Sequence, residues 1–121
     1  MSEVEQKQPT VRELAEIRAE ELAKQLGVYK VHPLIFKDEE TGEDVVGYVK
    51  EPARILKLRI LDKAIIGGFT ASAEMLDIIL IKEASDPRIY SELPQYDKFN
   101  LGAVNACYDL IKYSIDMFKK K

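Results

Sequence analysis

Only one stretch of this chain, residues 28–50, is written in strand-forming residues. Val28–Phe36 and Val45–Val49 are rich in β-branched and aromatic side chains, and the charged segment Lys37–Asp44 with its Gly42 separates them. That pattern predicts a β-hairpin. A lone two-stranded ribbon is marginal in water, so helices must cover it or another chain must pair with it. Pro33 lacks an N–H, which marks its strand as an edge or bulged strand. Two readings therefore stand side by side: the hairpin lies on its own helices, or its edge pairs with a second subunit.

The remainder reads as helix. Thr10 and Glu13 have capping-box spacing, Val11, Leu14, Ala15, Leu22 and Leu26 form an apolar stripe, and Gly27 supplies the stop. A first helix follows over about 10–26. Glu51-Pro52 opens a second, with Pro at N1 and a core stripe of Ile55, Leu58, Leu61 and Ile65, widened by Leu56 and Ile60. Gly67-Gly68 ends it. Thr70 caps a third helix over about 71–84, with Met75, Leu76, Ile79 and Leu80 on its core face and Ser85-Asp86-Pro87 as its stop. A connector over 85–97 carries Pro87 and Pro94, with one helical turn near Arg88–Glu92. The last helix spans about 97–119. Its apolar positions include Phe99, Ala103, Ala106, Leu110, Ile111, Met117 and Phe118, and Gly102 marks a close helix–helix contact. Lys119–Lys121 suit the negative end of its dipole. The order α-β-β-α-α-α defines a mostly helical α+β fold, one hairpin packed on a helical bundle. Residues 1–9 form a flexible tail and 10–121 a single domain.

Residue counts remove several chemistries. The chain has 121 residues, one Cys, one His and no Trp, which excludes an intrachain disulfide framework, a Cys/His zinc site and a Cys-x-x-Cys motif. Eighteen Lys+Arg against 21 Asp+Glu give −3, a balance that argues against nucleic acid as partner. His32 lies in a strand with no nucleophile motif beside it, and Cys107 sits mid-helix among apolar residues as a buried structural thiol. The acidic loop Asp38–Asp44 lacks the order of an EF-hand and reads as a solvated turn. Glu74 and Asp77 sit one helical turn apart, with Asp62 in reach, and read as an exposed charged face. The expectation is no catalytic residue, no cofactor and no metal; the chain is not an enzyme.

Lys50, Arg54, Lys57, Arg59 and Lys63 give the second helix a basic entrance. It either pairs with Glu51, Asp62 or the acidic loop, or meets phosphate or an acidic partner. The N-terminus has no basic region followed by an apolar one, and Ala64–Phe69 and Ile78–Ile81 are the longest nearly apolar stretches. Those features predict a cytoplasmic protein with no membrane partner.

A family likeness rests on Gly47-Tyr48-Val49-Lys50-Glu51-Pro52-Ala53-Arg54, a strand running into Lys-x-Pro-x-Arg. A helix follows it, then Glu74–Ile81, the Ser85-Asp86-Pro87 turn and the Asp97–Leu110 helix. Over about 45–113 this resembles small phage and prophage proteins, especially from Bacteroidetes-type genomes, related to tail assembly chaperones. The helix at 10–26 lies outside the likeness. The resemblance implies a non-enzymatic protein that binds a tape-measure or other tail protein, often self-associates, and resides in the host cytoplasm. The alternatives are a structural connector or tail-completion component of a particle and a small nucleic-acid-associated regulator. Tyr48, Lys50, Arg54 and Lys57 are the residues expected to contact the partner.

Overall fold

A computed structural model of the chain describes residues 8–62 and 68–119, with side chains described over 8–59 and 72–112. The elements run α1 (Val11–Leu26), β1 (Val31–Lys37), β2 (Asp44–Lys50), α2 (Arg54–Asp62), α3 (Gly68–Ile79) and α4 (Asp97–Lys119). Short 3-10 turns at Lys82–Ala84, Pro87–Ile89 and Pro94–Tyr96 connect α3 to α4. The fold is a mostly helical α+β fold with one antiparallel hairpin, as its sequence pattern predicts.

Both faces of the hairpin are covered. The register pairs Val31 with Lys50 and Lys37 with Asp44. Because side chains alternate, Leu34, Phe36, Val45 and Val49 point to one side and Val31, Ile35, Val46 and Tyr48 to the other. The first set packs with Met75, Leu76 and Ile79 of α3 and Phe99, Ala103, Val104, Cys107 and Ile111 of α4. The second packs with Ala15, Ala19 and Leu22 of α1 and with Ile81. Two cores thus share one thin sheet.

The two edges of the hairpin differ. Glu51 N–H donates to the Lys30 carbonyl at 2.9 Å and Asp38 N–H to the Glu43 carbonyl at 2.8 Å. These flanking bonds make the even-numbered residues of β1 the hydrogen-bonded pairs, so Pro33 turns its nitrogen away from β2. The missing donor breaks no bond of the ladder. On the far side of β2, the segment after α3 closes the edge. Ile81 N–H donates to the Tyr48 carbonyl at 2.8 Å and Asp86 N–H to the Val46 carbonyl at 3.1 Å. Tyr48 N–H donates to Ser85 Oγ at 2.9 Å, and the Ser85 hydroxyl donates to the Ile81 carbonyl at 2.7 Å. Among the described residues, the outer edge of β1 pairs with no strand.

Several element ends and faces depart from the expected ones. In α1 the capping box is formed: Glu13 N–H donates to Thr10 Oγ1 at 3.1 Å, and Thr10 N–H donates to the Glu13 carboxylate at 2.7 Å. Gly27 takes φ 68° as the left-handed cap. The buried stripe, however, is Ala15, Ala19 and Leu22, while Val11, Leu14 and Leu26 are exposed. Small residues face the sheet because they let the helix lie close to it. α2 starts at Arg54, two residues after Pro52, so that Pro52 is a buried residue ahead of the helix. Ile55 and Leu58 of the expected stripe point outward, and Leu56 packs inward. Ile60, Leu61, Ile65 and Gly67 lie outside the described side chains or residues, as do Met117, Phe118 and the tail over 1–7. α3 begins at Gly68, so Thr70 is inside it, and it ends at Ile79 because Leu80 and Ile81 run against β2. The helical turn expected near Arg88–Glu92 is a 3-10 turn that starts one residue earlier, at Pro87–Ile89, and the connector's second turn likewise starts at its proline, Pro94.

Gly102 allows a close approach, but to the hairpin and not to a helix. A Cβ there would lie 2.6 Å from the Phe36 ring. Gly47 likewise faces Ile89, whose Cδ1 would sit 2.8 Å from an added Cβ. Gly102→Ala gains about 1 kcal/mol of helix propensity yet must displace the ring, for a net loss of about 1–2 kcal/mol. Urea unfolding checks this, and in a Phe36→Leu background the loss should shrink toward zero.

Candidate functional site

The turn from β2 into α2 gathers the side chains that sequence marks as contacts. Lys50 ends β2 and is exposed. Glu51 and Pro52 follow, and the Ala53 carbonyl accepts the first two helical N–H groups, from Leu56 and Lys57. Glu51 lies two positions beyond the partner of His32, on the same side of the ladder. There His32 Nε2 hydrogen-bonds one oxygen of the Glu51 carboxylate, and Lys57 Nζ donates to the other.

The three side chains are 17, 24 and 28% exposed, so the cluster is partly desolvated. Burial pushes the Glu51 carboxyl up, but the hydrogen bonds from Lys57 and His32 and their charges outweigh it, and the group titrates below its ordinary value. Both oxygens of this carboxylate serve as acceptors. Its role is to fasten the first turn of α2 to β1, which fixes the direction in which α2 presents its outer face.

The four expected contact residues therefore differ in setting. Tyr48 is buried under α1 at 8% exposure, where burial raises its phenol and the nearby Arg18 charge lowers it in part. Lys57 is paired with Glu51, one of the two readings that the basic entrance allows. Lys50 and Arg54 are exposed and carry no ion pair among the described residues. Beside Arg54 stand the exposed Ile55 and Leu58, which sequence periodicity assigns to the core. The outcome is an outward face of α2 that is both apolar and basic. A separate open groove of about 700 Å³ runs between α1 and the free edge of β1, lined by Ala19, Ala23, Val31, Pro33 and Leu110 among others.

The acidic loop is solvated over residues 39–43, as its sequence predicts, but Asp38 anchors it. Asp38 is buried, accepts from Glu40 N–H at 3.2 Å and the Thr41 hydroxyl at 3.0 Å, and pairs with Lys98 Nζ at 2.9 Å. Lys98 also pairs with Glu40. Arg88 grips Asp86 with two bonds of 3.0 and 2.7 Å, reaches Glu43 at 3.4 Å, and lies 4.4 Å over the Phe99 ring. Lys98 beside Asp38 and Arg88 beside Asp86 hold both carboxyls below their usual range. Among the described residues, no three His, Cys, Asp or Glu side chains converge on a metal position. Glu74 and Asp77 are exposed; the Asp62 side chain lies outside those described.

Cys107 is fully buried, and burial pushes its thiol up to about 11, so it is not a thiolate nucleophile at neutral pH. No helix among the described residues is long and apolar enough to cross a membrane. In comparison with known proteins, no family model, no curated protein and no solved structure matches this chain.

Two predictions follow from the charge clusters. Glu51→Gln leaves His32 and Lys57 without their carboxylate and should cost about 1–2 kcal/mol in urea unfolding at neutral pH. Asp38, Asp86 and Glu51 all titrate lower than their ordinary values of 3.8, 3.8 and 4.5. A carboxyl whose folded value is depressed adds stability above its unfolded value and loses it as pH falls through the folded one. Stability should thus hold from neutral pH to about 5 and fall steadily below about 4. A pH series of urea midpoints checks this, and Asp86→Asn should make the acid decline shallower.

Proposed function

We propose that this chain is a non-enzymatic binding protein that holds an apolar helical segment of another protein, as a tail assembly chaperone holds a tape-measure protein. The observation that carries the reading is the outer face of α2. Ile55 is 63% exposed and Leu58 is 45% exposed, one turn apart, with Arg54 and Arg59 on either side. Adjacent large apolar side chains on an outward helix face are the ordinary material of a helix-in-groove or helix-on-helix contact. The flanking arginines select a partner with acidic residues beside its apolar stripe. Lys50 and Arg54 contribute charge to that contact. Lys57 and Tyr48 contribute from behind, one by fixing α2 and the other by filling the core under the strand that leads to it.

A second reading has its own observation. The free outer edge of β1 suits a structural connector or tail-completion component that adds strand to strand between subunits. Mass analysis of purified particles separates the two, since a structural component is retained and a chaperone is not. The direct test is a search of the neighbouring genes for a tape-measure protein and, with that protein, co-expression and affinity purification; a neighbourhood without one would overturn the reading. A complex is expected, and Ile55→Asp/Leu58→Asp should weaken it tenfold or more, about 1.4 kcal/mol in affinity. Both positions are exposed, so circular dichroism of the variant should match the parent. No complex, or a complex indifferent to the substitutions, would overturn the reading.

A further inference from the structure

The outer edge of β1 runs along a groove. An open space of about 700 Å³ follows it, bordered by α1 on one side and by Leu110 of α4 on the other. Ala19 and Ala23 leave the α1 wall low and apolar, and Val31 lies between the walls. A third strand laid here would be covered as β1 is, by α1 on one face and by α4 on the other. The edge also offers free backbone groups. The even-numbered residues of β1 hold the ladder to β2, so Val31 turns its N–H and carbonyl outward, and Pro33 its carbonyl.

Five charged side chains border the groove, besides His32, which bonds Glu51. Arg12 is met by Glu16 at 3.8 Å, whereas Glu20, Lys24 and Lys30 have no ion pair among the described residues. Lys24, in the last turn of α1, and Lys30, just ahead of β1, stand at the same end, and Glu20 lies one turn back along α1. Tyr29 lines that end too and is 88% exposed. Glu20 and Lys24 are about 6 Å apart along the helix, and alternate residues of a strand are about 6.6 Å apart. A strand on this edge can thus set an acid against Lys24 and a base against Glu20, both on its α1 face. The residue between them then faces Leu110.

We infer that this groove binds an extended segment of another protein, which adds to β1 as a strand and carries the residue order acid, apolar, base. Lys24 and Lys30 hold the acid, Glu20 holds the base, and Tyr29 packs on the segment at the end where its acid sits. Opposite Pro33 the segment uses only the proline carbonyl, since no donor is there. The wall charges select the occupant: Glu20 repels a segment with two acids, and Lys24 with Lys30 repels one with two bases. The inference goes beyond the proposed function. It uses a different face from the outer side of α2, an extended and not a helical guest, and no second copy of this chain, so each reading can fail alone.

Fluorescence anisotropy of the labelled peptide Thr-Glu-Val-Lys-Val-Thr with the full chain is the test. This peptide should bind at least tenfold more tightly than its relatives with Glu, or with Lys, at both charged positions. Net charge would instead favour the two-lysine peptide on a chain of −3. Lys24→Glu/Lys30→Glu should turn the preference to the two-lysine peptide, and Tyr29→Ser should weaken binding severalfold. All three positions are exposed, so circular dichroism of the variants should match the parent. A strand turns alternate N–H groups to one neighbour. N-methylation of alternate peptide residues should therefore abolish binding in one frame and leave it unchanged in the other. A first peptide that fails to bind at millimolar concentration would overturn the inference. So would binding that Lys24→Glu/Lys30→Glu does not redirect, or two N-methylated frames that behave alike.

Discussion

A two-stranded sheet buried on both faces governs the rest of this molecule. With only two strands there is little spare surface: every apolar side chain of β1 and β2 except Pro33 is committed to one core or the other. A one-residue slip of the register would carry Leu34, Phe36, Val45 and Val49 to the α1 side and Val31, Ile35, Val46 and Tyr48 to the α3–α4 side. The two sides accept different shapes. α1 offers alanines, whereas α3 and α4 offer Met75, Leu76, Phe99 and a gap at Gly102 that takes the Phe36 ring. Shape therefore holds the register from both directions.

The elements were legible where local chemistry decides them. The Thr10–Glu13 box and Gly27 bound α1, and Asp97–Lys119 is the helix its periodicity predicts. The near-continuous apolar run of both strands also carries the signature of burial on two faces, since a one-sided strand would alternate. Failures fall where distant contacts decide. α3 stops at Ile79 because Leu80 and Ile81 meet Val49 and Tyr48, distant in sequence, and no local breaker announces it. α2 is apolar on several sides, with Ile55, Leu56 and Leu58 within one turn, so periodicity cannot say which side turns inward. The His32–Glu51 contact needed the strand register, because Glu51 reaches the histidine only as a diagonal neighbour across the ladder. The Lys57–Glu51 pair lies within six residues and was legible as one of two options.

Charge is divided in the same way as the cores. Arg88 and Lys98 gather the acidic hairpin loop onto the start of α4, around the Phe99 ring. On α1 four acids stand against three bases, while Lys50, Arg54 and Arg59 carry no ion pair among the described residues. A net charge of −3 conceals this separation. The molecule is better described as a thin sheet between two helical layers whose outer helices carry opposite charge.

Pro33 has a consequence for solubility. An uncovered strand edge is a template on which unfolded or partly folded chains can add and grow into fibrils. In this fold β2 is sealed by the segment from Leu80 to Asp86, so β1 carries the risk. Among its outward-facing backbone groups, at Val31, Pro33, Ile35 and Lys37, the proline removes a donor from the middle of the row. Lys37 adds a charge at its end. A growing β-ladder would meet a gap every time it tried to register on this edge. The same ring that costs the hairpin nothing inside the fold thus restricts what can add to this edge, since only a strand that needs no donor at Pro33 fits it.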